Sequence, residues 1–289
     1  MLISEKCVEC LLGRIEFECR LTTDDEKIIK KAVSECKQKI MENINSQVPP
    51  PEISSELHRH VGTITGNKDP YKKIKESNNK DAIELENRIK DKLTNLHDYC
   101  LAASIGNTLD YGSPEHEVTK NLDVFFREEF SKGFAIENIR DFEPFCRNII
   151  YICDNCGEIV FDRLLIKYLK EKKRARIVVV VKKNPIINDA TLKEAKELGL
   201  DIIADKILTN TDSQAEVGFN SSLISGELED EMKNADLIIS KGMANYESLS
   251  EYKKKNNIPP IAFLMMIKCE QVADYFGVPK GSRVAYLEK

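Results

Sequence analysis

The chain has 289 residues, 31% of them charged, with Lys+Arg 43 against Asp+Glu 48 for a net charge of −5. Charges of both signs are mixed along the whole length, which disfavours a nucleic-acid partner, and no apolar run is long enough to span a bilayer. The N-terminus lacks a basic stretch followed by an apolar one, so no signal peptide is expected and the expected location is cytoplasmic.

Residues 2–45 carry helical spacing, with Cys7, Cys10, Leu11 and Ile15 among its apolar positions and Thr22, Thr23 and Asp24 as capping residues for a second helix. Val48-Pro-Pro-Pro-Glu52 interrupts the pattern, which resumes over 53–62 and, after the turn cluster 65–71, over 71–77. A long helical stripe built on Ile83, Leu85, Ile89, Leu93 and Leu96 is expected from 79 towards Gly106. No strand is expected before about residue 145.

Beyond that point apolar runs of strand length recur at 149–153, 177–181, 202–204, 237–240 and 261–267. Helical patterns separate them at 158–170, 190–198, 226–234 and 246–255. Near-continuous Val/Ile runs alternating with helices predict an α/β domain with a parallel sheet covered on both faces. The expected division is a helical domain, 1–145, and an α/β domain, 146–289. Right-handed crossovers put every strand-to-helix loop on one sheet edge. That edge collects Asp154-Asn155, Lys182-Lys-Asn-Pro185 with Asn188-Asp189, and Lys241-Gly-Met-Ala-Asn245.

Asp154 and Asn155 offer one charged and one neutral oxygen ligand. Asp189 is either a third ligand or the N-cap of the helix that follows it. Two carboxylates converging in a cleft call for a cation, and an oxygen-only set suits Mg²⁺ or a similar divalent ion. Lys241, next to Gly242, is placed to hold a phosphate oxygen; its alternative role is an ion pair with Asp154 or Asp189. Asn245 and Glu247 begin the next helix, where backbone N–H groups favour an anion. Glu158 either orients a water or caps its own helix, the second being the favoured reading. Ser104-Ile-Gly-Asn-Thr-Leu-Asp-Tyr111 interrupts a helix with Gly106 and the polar Asn107 and Asp110, and is either a plain loop or a wall of the cleft. Phosphate-binding Gly-x-x-x-x-Gly-Lys-Ser/Thr, dinucleotide Gly-x-Gly-x-x-Gly and hydrolase Gly-x-Ser-x-Gly motifs do not occur at the strand ends. Nine cysteines include two Cys-x-x-Cys pairs, Cys7/Cys10 and Cys153/Cys156. About 140 residues separate the pairs, far from zinc-ribbon spacing, and small buried thiols are the favoured reading.

Gly106-Asn-Thr-Leu-Asp110, Asp154-Asn-Cys-Gly-Glu158, Lys183-Asn-Pro-Ile-Ile-Asn-Asp-Ala-Thr191 and Lys241-Gly-Met-Ala-Asn-Tyr-Glu247 occur in this order. Together they resemble the metal-dependent damage-control phosphatase family, long catalogued as a domain of unknown function. Cys7-x-x-Cys10 and Asp69-Pro-Tyr71 look like its archaeal, stand-alone branch. The resemblance implies a helical domain on a Rossmann-like domain and hydrolysis of small phosphate esters such as damaged or overflow sugar phosphates. It also implies a metal on Asp154, Asn155 and Asp189, a motif Asn at Asn107, and a phosphate-binding lysine at Lys241. Cys156 stands where the family usually has Ala, and Thr209-Asn210 replaces a Thr-Gly, departures that bear on substrate choice more than on catalysis.

The resulting expectation is a metal-dependent phosphatase of small phosphorylated metabolites using Mn²⁺, Co²⁺, Ni²⁺ or Mg²⁺. Asp154, Asp189 and Lys241 are its catalytic residues, and Asn107, Lys241 and Asn245 contact substrate. Either a water or an aspartate serves as nucleophile. The alternative is a non-catalytic, metal-dependent binder of the same metabolites; thiol or soft-metal chemistry at the Cys-x-x-Cys pairs is a third reading.

Overall fold

The computed structural model describes residues 5–44, 46, 48–106 and 122–289. Its first three helices, α1 (Glu5–Arg20), α2 (Glu26–Asn43) and α3 (Pro50–Thr65), bury a core of their own that includes Ile15, Cys19, Ile29, Cys36, Ile40, Leu57 and Val61. Asp25 caps α2, its carboxylate accepting from the Lys27 N–H at 2.8 Å. The proline cluster starts α3 instead of preceding it, because the first turn has no use for the missing N–H. The stripe expected from 79 to 106 is two helices, α4 (Lys72–Ile89) and α5 (Leu96–Gly106). A new N-terminus forms between them: Asp98 accepts from the Thr94 N–H at 2.9 Å while Asn95 accepts from the Asp98 N–H at 3.1 Å. Helices α6 (Leu122–Lys132) and α7 (Ile139–Phe142) complete this half.

Among the described residues the remainder is built on a mixed sheet of seven strands in the order β1-β7-β6-β5-β2-β3-β4. They are β1 (Ile136–Glu137), β2 (Asn148–Ile152), β3 (Arg176–Val181), β4 (Lys206–Thr209), β5 (Leu237–Lys241), β6 (Ile261–Met266) and β7 (Arg283–Glu288). The run β6-β5-β2-β3-β4 is parallel, as expected. The sheet as a whole is not: β7 pairs antiparallel with β6, and β1, within the stretch expected to be helical, pairs with β7. The strand expected at 202–204 is the short helix α10 (Leu200–Ile203), and its place is taken by the edge strand β4.

Alternation along the strands serves two separate cores. Ile149, Tyr151, Ile177, Val179, Ile239 and Leu264 face one side, under α4, α5, α6 and α8 (Glu158–Lys173). Ile150, Ile152, Val178, Val180, Ile238 and Phe263 face the other, under α11 (Gly226–Lys233), α12 (Met243–Lys255) and α13 (Glu270–Phe276). Burial on both faces explains why these strands read as unbroken apolar runs. From β2 the chain moves outward to β3 and β4, then returns to the opposite side of β2 for β5. The junction of β2 and β5 is therefore a topological switch point, where a crevice opens at the carboxyl ends of the strands. No helix among the described residues is long and apolar enough to cross a membrane.

Candidate active site

Backbone hydrogen bonds lock the loops after β2 and β3 together. Cys153 donates to Val180 O at 3.0 Å, Ala190 to Asp154 O at 2.8 Å, and Cys156 to Asn188 O at 2.8 Å, with an antiparallel bridge between Asn155 and Asp189. The three side chains Asp154, Asn155 and Asp189 consequently converge at the base of a cleft of ≈570 Å³ that all three line. Asp189 is not the cap of the helix beyond it. Thr191 caps α9 (Leu192–Glu197) in a capping box with Glu194, so Asp189 serves something other than helix initiation.

The loop after β5 closes the site from the other side. Gly242 has φ +76° and lies against the Asp154 carboxylate; a Cβ there would sit 2.8 Å from Oδ1 and overlap Oδ2. Only glycine allows this approach, and it sets Asp154 at the N-terminus of α12, where the helix dipole favours negative charge. Asn155 donates through Nδ2 to Asp154 Oδ2 at 2.7 Å and to Glu158 Oε2 at 3.4 Å. With the nitrogen so committed, the amide's carbonyl oxygen is the atom left to serve as a donor to a cation. Burial, then the charges of Asp189 and Glu158, push the Asp154 carboxyl well above its ordinary range, with Lys182 and Lys268 opposing. Buried carboxylates in this relation are relieved by a cation. Two carboxylates and one carboxamide are the right donors for a hard divalent ion. Among the described residues, no group of three or more His, Cys, Asp and Glu side chains forms a metal cluster.

Lys241 is fully buried and does not line the cleft. Its ammonium donates to Glu158, to Asp162 Oδ1 at 2.7 Å and to Ala103 O at 3.1 Å. Its ion-pair partners are thus Glu158 and Asp162, not Asp154 or Asp189. Burial opposes its charge, but Asp162 and Glu158 hold its pKa above the ordinary value. Burial pushes Asp162 up to about 6 despite Lys241 and the Tyr151 hydroxyl, which donates to it at 2.7 Å. Glu158 is not a helix cap either: Gly157 occupies the N-cap of α8, and Glu158 links Lys241 to Asn155. Asn245, also fully buried, donates to Lys241 O at 2.7 Å and Cys153 O at 3.2 Å, clamping the ends of β5 and β2 together. Asn107 and Asp110 lie outside the described residues; Gly106 before them packs α5 against α8, with room for no Cβ beside Phe161.

Two lysines gain importance from the structure. Lys182 directly follows β3, donates to Gly218 O at 2.8 Å and stands 3.4 Å from Asp189 Oδ2. Lys268 follows β6 and lines the cleft. The strand-end rule that selects Lys241 selects both of these equally. The opposite wall comes from α1, through Cys7, Cys10, Arg14 and Phe17, and α12 contributes Met243, Ala244 and Glu247. One backbone outlier adjoins the site. Ile187 has φ +41°, a left-handed conformation costing a β-branched residue on the order of 1–3 kcal/mol.

Residues 3–284 match the damage-control phosphatase ARMT1-like domain, and the chain belongs to that family. It is 35% identical to a damage-control phosphatase of Archaeoglobus fulgidus over 99% of each chain. It is 32% identical to a damage-control phosphatase of Pyrococcus horikoshii over 100% of this chain and 99% of that one. The fold matches the crystal structure of a DUF89 family protein from Pyrococcus horikoshii with TM-score 0.90 and 28% identity, each chain covered completely.

Proposed function

We propose that this protein is a metal-dependent phosphoric monoester hydrolase acting on small phosphorylated metabolites, with Asp154, Asn155 and Asp189 as its metal ligands. The observation that carries the reading is the convergence of these three oxygen donors at the floor of a cleft, at the switch point of the sheet. A divalent ion held by Asp154, Asn155 and Asp189 would supply Lewis acidity towards the phosphate and help to activate a water.

The protein's own residues supply position and charge. Lys182 holds Asp189, and Asn155 is oriented by Asp154 and by the Glu158–Lys241 pair. Lys268, on the cleft wall, neutralises the phosphate. In this reading Lys241 and Asn245 are positioning residues that act through Glu158 and through the clamp between β5 and β2. Asn107 is retained as a substrate ligand on the strength of its motif. Hydrolysis consumes one water and releases the alcohol and inorganic phosphate, the α1 wall shielding the reacting group from bulk solvent.

The test is phosphate release from a panel of monoesters with Mn²⁺, Co²⁺, Ni²⁺ or Mg²⁺, before and after chelation. Metal-stimulated turnover that falls at least ~100-fold in Asp154→Ala and Asp189→Ala is expected. Thermal stabilisation by the esters without turnover would instead identify a binding protein.

A further inference from the structure

A second cavity, of ≈390 Å³, lies beside the cleft, lined in part by Arg59, Asn67, Lys68, Asn184, Ser213 and Gln214. The two spaces share one lining residue, Ile187. At two other places chain neighbours line different spaces, and at a third, residues two positions apart do. Phe17, Tyr71 and Val217 line the cleft, while Glu18, Pro70 and Ala215 line the second cavity. The spaces are therefore back to back across a thin partition, in which the rings of Phe17 and Tyr71 lie 6.1 Å apart.

The rest of the partition is tied down. Val217 donates to Ser55 Oγ of α3 at 2.8 Å, Arg59 donates to Ala215 O at 2.7 Å, and Asn184 donates to Ser213 O at 2.8 Å. Ile187 differs from these residues. It is half-buried, its side chain has no polar tether, and it is held at φ +41°, where a β-branched residue is strained. Strain of this kind persists where the surroundings impose it, and it concentrates at functional sites. Its place is two residues before Asp189, on the wall between the candidate metal ligands and the neighbouring cavity.

We propose that Ile187 is a specificity-determining residue. It sets how far the alcohol part of a phosphate ester extends from the cleft into the second cavity, which forms a pocket for an uncharged, hydrogen-bonding tail. The pocket walls offer side-chain amides and hydroxyls together with charges of both signs, Arg59 and Lys68 against Glu18 and Asp69. A balanced lining of this type suits a polyol or polyether chain better than a second anion. The inference rests on the phosphatase reading only for the nature of the head group.

The test compares hydroxyethyl phosphate with hexaethylene glycol monophosphate on wild type and Ile187→Gly in the presence of Mn²⁺. Glycine takes the left-handed conformation without strain, and Ile187→Asn, which also tolerates it, is the second variant should the first fold poorly. The expected result is a ~10-fold rise in the long-to-short ratio of kcat/KM, the size of a typical pocket contact. Expressing the result as a ratio cancels any general effect on the neighbouring Asp189. Adding Thr63→Trp, which fills the second cavity from α3, should abolish the gain. An unchanged ratio in a folded variant, or a gain that survives Thr63→Trp, overturns the inference. If no variant hydrolyses either ester, the phosphatase reading fails. The ratio of Kd values for the same two esters, from calorimetry, then decides the partition by the same criterion.

Discussion

Asp154 rests on Gly242: the carboxylate occupies the space that any side chain at position 242 would need. The contact joins the end of β2 to the start of α12 and ties the candidate metal ligands to a backbone conformation, φ +76°, that L-residues rarely adopt. Gly242→Ala should therefore fail twice, through backbone strain and through displacement of Asp154. A stability loss of about 1–3 kcal/mol is expected in urea denaturation from the strain alone. Metal-stimulated phosphate release should fall ~100-fold or more, since a shift of about 1 Å in a catalytic group costs that much. A variant that keeps full activity would show that Asp154 need not sit where it does.

The cleft contains a carboxyl group that titrates near neutrality. Glu247 of α12 is raised to about 7 by burial, with Arg14 of α1 opposing the shift. Below that pH it is neutral; above it, it adds a negative charge to a site proposed to bind a phosphate dianion. KM for a phosphate ester should accordingly rise as pH increases through about 7, with the inflection drawn lower when a cation is bound. Glu247→Gln should flatten this dependence. The stability consequence has the same sign. The folded protein binds the proton more tightly than the unfolded chain, so this group's contribution is full below the unfolded carboxylate pKa and is lost as pH rises towards 7. Matched pH profiles of KM and of urea midpoints for the two proteins measure both effects.

The two Cys-x-x-Cys pairs differ in setting. Cys153 and Cys156 are buried, and burial first of all drives both thiols well above their ordinary pKa. Cys10 is exposed and Cys7 partly so, both on the cleft wall. A thiol reagent should label Cys10 and Cys7 within minutes in the native protein and leave Cys153 and Cys156 untouched until it unfolds, because the thiolate is the reacting species. Mass spectrometry of the labelled peptides distinguishes the four. Rapid native labelling of Cys156 would mean that the loop after β2 opens, contrary to its hydrogen bonding to Asn188.

How far the sequence can be read depends on how local the deciding interaction is. The end of β2 is readable because an apolar run stops at Asp154-Asn155, and the structure has both residues at the strand's carboxyl end. The third strand is misread because Ile202 and Ile203 look like strand residues, yet Ile202 is 86% exposed on a short helix. The true edge strand, Lys206–Thr209, is only half-buried and carries a weaker apolar signal. β7 is missed because its burial comes from antiparallel pairing with β6, a contact that no local pattern announces. Glu158 and Asp162 did leave a trace. Four residues apart on the apolar face of α8, two carboxylates signal a buried cation, but which lysine answers them is settled only by the fold.

That lysine is the most exacting element around the site. Lys241, Glu158 and Asp162 are all fully buried, and Tyr151 adds a hydroxyl to Asp162. Removing the lysine charge leaves two carboxylates without their cation in the core beneath Asn155. Breaking one partner of a buried pair costs about 3–5 kcal/mol, whereas replacing the whole set by neutral groups can be nearly neutral. Lys241→Met should thus be destabilised by about that amount. Its stability should fall further as pH rises, because one or both carboxylates must then stay protonated in the folded state. Adding Glu158→Gln and Asp162→Asn to Lys241→Met should restore most of the stability and remove the new pH dependence. If the triad acts on the site only through Asn155, the triple variant should still bind metal, with affinity reduced ~10–100-fold as when the outer support of a ligand is lost. Recovery of fold without any recovery of metal affinity in calorimetric titration with Mn²⁺ would instead give Lys241 a direct part in the site.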